Sequence, residues 1–140
     1  MLDQSLHQGY KIPKYVNIIP FLNKNKKREK NILNDLYSKS HYFILLSKAE
    51  AFGIVINEAS RYGLPVITNN IDGLKYVADE KYSILNNKNL SSSKIAHKVF
   101  LINKDLNKYS KFSNNSYLSS LDKNWNNTAV KLKKIIYQII

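Results

Sequence analysis

The stretch FILLSKAEAFGIVINEASRYGLPVIT, residues 43–68, decides the fold. It begins with a continuous apolar run of strand length, which is typical of a strand buried on both faces. A short loop then leads into a helical pattern, and Gly63 stands where a helix usually ends. Pro65 opens a second β-branched run. The stretch therefore predicts a strand–helix–strand unit of a parallel sheet.

Strands alternate with helices along the rest of the chain. Strands are predicted at residues 15–19, 42–46, 66–68 and 82–85, and helices at residues 27–38, 52–62, 93–102, 106–118 and 127–139. This alternation indicates βαβ units and a mostly parallel sheet. No linker or internal repeat divides the chain. We predict one α/β domain over residues 1–140, with a short Rossmann-like sheet between layers of helices.

The composition excludes several classes of protein. Cysteine is absent, which excludes a disulfide framework and a thiolate metal site. No apolar stretch approaches the ~18 residues of a membrane span, and no signal-peptide pattern is present. The prediction is a cytoplasmic protein.

The formal net charge of +12 suggests a polyanionic partner, but its composition argues against nucleic acid. Nearly all of the positive charge is lysine, with Arg28 and Arg61 the only arginines, whereas base readout favours the planar fork of arginine. The densest basic run, residues 24–30, is typical of a solvated loop and helix start. We predict no nucleic-acid partner. Contact of the basic surface with an anionic membrane remains open.

Glu50 and Glu58 lie eight residues apart, on either side of the predicted helix start. Ligands of open parallel sheets bind at the carboxyl ends of the strands, where this loop lies. The free N–H groups from Gly53 to Val55 would attract an anion, and Gly53 would leave room for a phosphate. Glu58 lies roughly 7–8 Å further along the helix axis, a suitable distance for a ribose diol. The spacing favours a nucleotide with a hydroxyl-rich substituent beside Glu50.

Taken alone, the two acids also fit ordinary structural roles. Glu58 would then be a half-exposed helix acid and Glu50 a partner of the helix dipole. The residues around Glu50 and Glu58 favour the functional interpretation. They resemble the donor-binding segment of the retaining glycosyltransferase family GT4, which has the GT-B fold and an E-x7-E signature. The matching residues are Ser47, Glu50, Phe52, Gly53, Ile54, Val55, Glu58, Ala59, Gly63, Pro65, Val66 and Ile67.

The resemblance implies a role for each of these positions. Glu50 would contact or electrostatically support the transferred sugar, and Glu58 would bind the nucleotide ribose. Backbone amides would hold the sugar hydroxyls and the diphosphate, at Phe52, Gly53, Ile54 and Val55. The family needs no metal and no cofactor.

The resemblance also implies the partners. The donor would be a UDP- or GDP-sugar, and the acceptor a glycan or a lipid-linked glycan of polysaccharide biosynthesis. The reaction would take place in the cytoplasm or at the inner face of the membrane.

The chain departs from the family pattern in several places. It corresponds to part of the donor-binding domain, without the acceptor domain and without the first βα units, which supply an Arg and a Lys to the diphosphate. Lys48 is close to Glu50 but is not in that position. Leu46 replaces a usual proline, Ser83 a glycine, and Asp72 the first glycine of a Gly-Gly-x-Pro-Glu turn.

These departures leave two alternatives open. The chain is either the donor-binding half of a hexosyltransferase-like enzyme, which needs a separate acceptor domain, or a non-catalytic remnant that still binds a nucleotide-sugar. In both cases we predict no turnover by these 140 residues alone. The missing strands would also leave residues 42–46 at an edge of the sheet. Residues 16–19 are then predicted to shift and pair there, or the chain to self-associate through that edge.

Overall fold

The computed structural model describes residues 12–87 and 90–139, in two compact units, Met1–Ser38 and Lys39–Ile140. Helix α1 (Lys27–Lys39) begins where the sequence predicts. Near its start the carboxylate of Glu29 accepts the N–H of Asn23 (2.6 Å) and pairs with Lys26 (3.2 Å). The hydrogen bond and the ion pair lower the pKa of Glu29.

The predicted strand at residues 15–19 is wrong. These residues form a turn and irregular chain, with the N–H of Val16 donating to Pro13 (2.9 Å). Val16, Ile18 and Ile19 are all exposed. A β-branched run forms a strand only where a neighbouring strand and a core surface are available, because β-propensity mainly reflects packing. The predicted pairing of residues 16–19 beside residues 42–46 is therefore also wrong.

The described residues of the second unit form a three-stranded sheet and four helices. Its elements are β1 (Phe43–Leu45), α2 (Ile54–Ser60), β2 (Val66–Asn69), β3 (Ser83–Asn86), α3 (Ser92–Asn103), α4 (Leu106–Asp122) and α5 (Trp125–Ile139). The strands are parallel in the order β1-β2-β3, with Ile44, Ile67 and Ile84 aligned in register. The predicted α/β architecture with a short parallel sheet is confirmed.

Each face of the sheet has its own apolar core. On one face α2 and the segment at 71–82 cover the sheet, and the buried residues are Ile56, Val66, Leu74, Val77 and Tyr82. On the other face α3 and α4 pack over Ile67 and Ile84, together with Ile102. The domain therefore has three layers, with the sheet between them.

Strand β1 is less buried than its sequence predicts. Ile44 is 60% exposed, so the prediction of a strand buried on both faces is wrong. The reason is its place in the sheet: β1 is an edge strand, whereas its neighbour β2 is buried from Val66 to Thr68.

The helix ends follow local side-chain chemistry. The side chain of Ser91 caps α3 and that of Asp105 caps α4 by accepting backbone N–H groups of the first turn. Gly63 has a left-handed backbone (φ 69°) just after α2, as predicted for a helix end. Helix α2 begins at Ile54 and not at residue 52, because Gly53 is also left-handed (φ 54°).

Candidate functional site

The loop between β1 and α2 lies at the carboxyl edge of the sheet. All three strands run in the same direction, so the ends of β1, β2 and β3 meet at this edge. This is the position at which open parallel sheets bind ligands. The loop contains Glu50, and α2 contains Glu58; both side chains are half-buried. Glu50 thus lies in the loop after β1, and Glu58 lies on the helix that follows this loop.

A row of polar side chains holds the beginning of this loop. The hydroxyl of Thr68 donates to the carbonyl of Leu45 (2.7 Å), and the amide of Asn69 donates to the carbonyl of Ser47 (2.9 Å). The amide of Asn86 in turn donates to Asn69 (2.6 Å). The sequence analysis did not single out these residues. Their signal is a change from apolar to amide side chains at the carboxyl ends of β2 and β3.

Gly73 packs closely against the backbone of the Glu50 loop. A Cβ atom at this position would overlap the backbone carbonyl of Glu50 and approach Ala51, so no side chain fits. Gly73 is the one glycine that the chain retains from the Gly-Gly turn of the resemblance. This close contact sets the distance between the Glu50 backbone and the segment at 71–78.

The segment around Gly73 forms a compact helical turn. The N–H groups of Leu74 and Lys75 both donate to the carbonyl of Ile71 (2.9 and 3.1 Å). Asp72 and Lys75 form an ion pair (2.9 Å), which lowers the pKa of Asp72 and raises that of Lys75. Asp72 therefore takes the place of the family's first glycine within a hydrogen-bonded turn.

Core packing and backbone conformation explain why position 53 is glycine. A Cβ atom there would collide with the side chain of Leu74 and crowd Val77, and its positive φ is strained for other residues. The packing of the core thus requires glycine at this position, whatever ligand binds. The predicted role of Gly53 in admitting a phosphate stays a prediction.

Four consecutive backbone N–H groups remain available at the start of α2. Among the described residues, no acceptor receives the N–H groups of Phe52, Gly53, Ile54 or Val55, and no side chain caps the helix. Because α2 has only seven residues, its dipole is short, and the useful property is this set of free donors. The side chains of Phe52 (70% exposed) and Ile54 (66% exposed) project into solvent beside them.

The chain also has a groove of about 340 Å³ between β3, α3 and α4. Its lining includes Ser83 and Phe112, with Glu80, Lys98 and Lys108 at the rim. None of the residues predicted to bind the donor lines this groove. It belongs to the face of the sheet opposite α2.

In residues 12–87 and 90–139, no three His, Cys, Asp or Glu side chains come close enough together to hold a metal ion. His41 precedes β1 and faces the ring of Tyr109 (6.4 Å between centroids), while His97 stacks on Phe100 in α3 (6.5 Å). His7 lies outside the described residues. Over the same residues, no helix is both long and apolar enough to cross a bilayer.

Several solved structures are similar in fold, and two of them are described here. Sucrose-phosphate synthase from Thermosynechococcus elongatus matches with a TM-score of 0.72 and 23% identity, over 97% of this chain and 33% of that one. The pneumococcal O-GlcNAc transferase GtfA, solved with UDP and GlcNAc, matches with a TM-score of 0.57 and 22% identity, over 76% of this chain and 22% of that one. This chain thus spans a third or less of either protein.

No curated protein matches the sequence. The family described as glycosyl transferases group 1, by contrast, matches residues 4–119, which include the Glu50 loop, the sheet and α3. The match covers most of the chain and agrees with the fold. The chain belongs to the glycosyl transferases group 1 family.

Proposed function

We propose that this chain is the donor-binding half of a GT4-type glycosyltransferase, which transfers a hexose-like sugar with retention from a UDP- or GDP-sugar. The acceptor is a glycan or a lipid-linked glycan of polysaccharide biosynthesis, and a separate N-terminal domain binds it. The reaction takes place on the cytoplasmic side. The observation that carries the proposal is the loop at the carboxyl edge of the sheet, where free backbone donors lie between Glu50 and Glu58.

In this proposal each part of the loop has one task. The free N–H groups of Phe52, Gly53, Ile54 and Val55 donate to the diphosphate and to sugar hydroxyls. Glu58 accepts hydrogen bonds from the ribose. Glu50 lies beside the sugar, where its negative charge stabilises positive charge that develops at the anomeric carbon. When the bond from that carbon to the diphosphate breaks, donors that are already oriented stabilise the departing anion.

Binding of uridine nucleotides tests the site directly, and the UDP in the pneumococcal relative makes UDP the first probe. We expect UDP to bind with a dissociation constant of about 1 mM, equivalent to roughly 4 kcal/mol. Glu58→Ala should weaken the binding of UDP more than the binding of inorganic pyrophosphate, because only UDP has a ribose. Glu80→Ala, an exposed acid before β3, is the matched control. Calorimetry or NMR titration that shows equal losses for both ligands would refute the role of Glu58.

Glu50 is tested by comparing two ligands on one variant. Glu50→Gln should leave UDP binding nearly unchanged but weaken a UDP-hexose, because only the latter places a sugar beside the carboxylate. The change replaces one carboxylate oxygen by an NH2 group and keeps the size of the side chain. The conformation of the Glu50 loop, which packs against Gly73, should therefore be retained. Equal affinity of wild type and variant for the UDP-hexose would contradict the role of Glu50.

The non-catalytic alternative is supported by the replacements at Leu46 and Asp72, close to the Glu50 loop. Turnover separates the two proposals once an acceptor domain is supplied. The 140-residue chain alone should show no sugar transfer from UDP- or GDP-hexoses, because the acceptor domain and the Arg and Lys that the resemblance assigns to the diphosphate are not among its residues. Saturable product formation by the purified chain would contradict this expectation.

A further inference from the structure

Lys123, at the end of α4, directs its ammonium group into the protein. The group donates to the carbonyl of Val77 (3.2 Å) and to the hydroxyl of Tyr82 (3.1 Å), and it lies 5.6 Å from the centre of the Tyr82 ring. The hydroxyl of Tyr82 itself donates to the carbonyl of Val77 (2.7 Å), so the three groups form a closed triangle of hydrogen bonds. Val77 and Tyr82 are both buried. A lysine usually keeps its ammonium group in water, so this inward placement needs an explanation.

The triangle contains no acid. Among residues 12–87 and 90–139, no carboxylate lies within ion-pair distance of Lys123. The positive charge is directed instead at the end of the helical segment at 71–78, where the N–H groups of Val77 and Ala78 both donate to the carbonyl of Leu74 (3.0 and 2.9 Å). Carbonyls at the end of a helical turn have no partner within the turn, and lysine side chains are suited to bind them. Lys123 therefore holds the end of this segment.

The same segment contacts the Glu50 loop at two places. Gly73 packs against the carbonyl of Glu50, and the side chain of Val77 lies so close to Gly53 that a Cβ atom there would be crowded. Val77 thus contacts Lys123 through its carbonyl and Gly53 through its side chain. A shift of this segment would therefore reach the backbone of the predicted sugar-binding acid and one of the free N–H donors.

The backbone of Lys123 is attached to α2 at the same time. The side-chain amide of Asn57 donates to the carbonyl of Lys123 (3.3 Å). Asn57 directly precedes Glu58, the predicted ribose-binding acid. Lys123 is therefore bonded through its carbonyl to the helix that carries Glu58, and through its ammonium group to the segment that packs against Glu50.

We propose that Lys123 is a positioning residue for the donor site, which holds the Glu50 loop in place relative to Glu58. It acts through Val77 and the segment at 71–78 and does not itself touch the donor. This inference rests on the proposed function of the Glu50 loop. It extends the site to the end of α4, outside the motif that the sequence analysis identified.

Three substitutions separate this role from a general effect on charge or stability. Lys123→Met removes the ammonium group but keeps the backbone carbonyl that binds Asn57. It should weaken UDP-hexose binding about fivefold, equivalent to about 1 kcal/mol and typical of one lost hydrogen bond, and should change UDP binding much less. Lys111→Met removes the same charge from an exposed position of α4 and should change neither affinity. Ser116→Ala breaks a buried hydrogen bond of α4 and should lower stability without changing the ratio of the two affinities.

Glycine labelling gives a readout that requires no ligand. The chain has four glycines, so a sample labelled with ¹⁵N-glycine gives few amide signals, among them those of Gly53, Gly63 and Gly73. Lys123→Met should shift the signals of Gly53 and Gly73 and leave that of Gly63 in place. Ser116→Ala should do the opposite, because its hydroxyl binds the carbonyl of the residue that follows Gly63.

Chemical rescue tests whether the ammonium group is the cause. The chain contains no cysteine, so in Lys123→Cys only position 123 carries a thiol. Alkylation of this thiol with 2-bromoethylamine in urea, followed by refolding, restores an ammonium group on a side chain of nearly the length of lysine. Alkylation with 1-bromopropane gives the same length without the charge. The aminoethyl protein should recover the wild-type Gly73 signal and UDP-hexose affinity, whereas the propyl protein should not. Circular dichroism checks that both have refolded.

Three results would overturn the proposal. The first is a Gly73 signal that stays in place in Lys123→Met, which would show that the ammonium group does not hold the segment at 71–78. The second is an unchanged ratio of UDP-hexose to UDP affinity in that variant although its Gly73 signal has moved. The third is equal recovery by the aminoethyl and propyl proteins. A wild-type chain that binds neither ligand would refute the proposed function and with it the role of Lys123 in donor binding, while the glycine signals would still decide whether Lys123 holds the segment.

Discussion

At the scale of single residues, Gly73 connects the turn at 71–78 to the candidate site. Its missing side chain admits the carbonyl of Glu50, whereas Gly63 has a different structural requirement, a left-handed backbone beside Ser113. Both glycines matter for stability. Only Gly73, however, determines where the backbone of a predicted sugar-binding residue lies.

Gly73→Ala should therefore affect both stability and ligand binding. The added methyl group would push the Glu50 loop away, at a cost of about 1–3 kcal/mol. Gly63→Ala should cost about 1–2 kcal/mol through its positive φ, but it should leave UDP-hexose binding unchanged. Urea unfolding together with UDP-hexose titration checks both effects. A Gly73→Ala protein with unchanged affinity would show that the contact with Glu50 does not matter for the donor.

Two buried serines offer a matched comparison. The hydroxyl of Ser116 donates to the carbonyl of Leu64 (2.7 Å), whereas that of Ser83 has no partner among the described residues. Ser116→Ala should destabilise the fold by about 1–3 kcal/mol, because a buried carbonyl loses its donor. Ser83→Ala should be neutral or stabilising, by up to about 1 kcal/mol. A substantial loss of unfolding free energy in Ser83→Ala would show that its hydroxyl is satisfied in solution.

At the scale of elements, the start of β1 is attached to the helices α3 and α4. The hydroxyl of Tyr42 donates to the side chain of Asn103 (2.7 Å), and its ring meets that of Tyr109 edge to face (5.7 Å between centroids). The hydroxyl of Tyr109 donates to the carbonyl of His41 (3.1 Å). Partial burial raises the pKa of both phenols, and in Tyr42 the neighbouring Tyr109 raises it further.

This tyrosine pair predicts a loss of stability in alkali. A raised pKa means that the folded state favours the protonated phenol. The contribution of the protonated phenols to the free energy of unfolding is complete below the ordinary tyrosine pKa of about 10. It is lost as the pH rises through the pKa of the folded state. Tyr42→Phe should be less stable than wild type at neutral pH. Between neutral pH and alkali, however, its free energy of unfolding should fall by less than that of wild type. Tyr76→Phe, at a 77% exposed position, is the control. Parallel pH profiles for wild type and Tyr42→Phe would contradict the prediction.

At the scale of the whole molecule, the edge of the sheet at β1 is the feature to test. The predicted pairing of residues 16–19 with this edge is wrong, so self-association is the remaining alternative. Ile44 is exposed at the centre of this edge strand, and exposed apolar edges are a known route to association.

We expect concentration-dependent association of the wild-type chain in light scattering after gel filtration. Ile44→Lys should reduce it, because a charge on an edge strand opposes pairing with a second strand. Leu106→Lys, a change at a 78% exposed residue of α4, is the control and should have no effect. A wild-type chain that stays monomeric at high concentration would exclude association through β1.

The amino-acid sequence by itself determined the order and type of the elements from residue 27 onward, because helical periodicity, short apolar runs and glycine positions are local signals. It also indicated the strand–loop–helix unit that carries Glu50 and Glu58, because the residues around these acids form a specific motif. Three matters depended on the tertiary structure. A β-branched run at 15–19 forms no strand, since strand formation requires a partner. Ile44 is exposed because β1 lies at an edge. Gly73 is needed at the site because a loop distant in sequence rests on it, and such contacts between distant segments leave no local pattern.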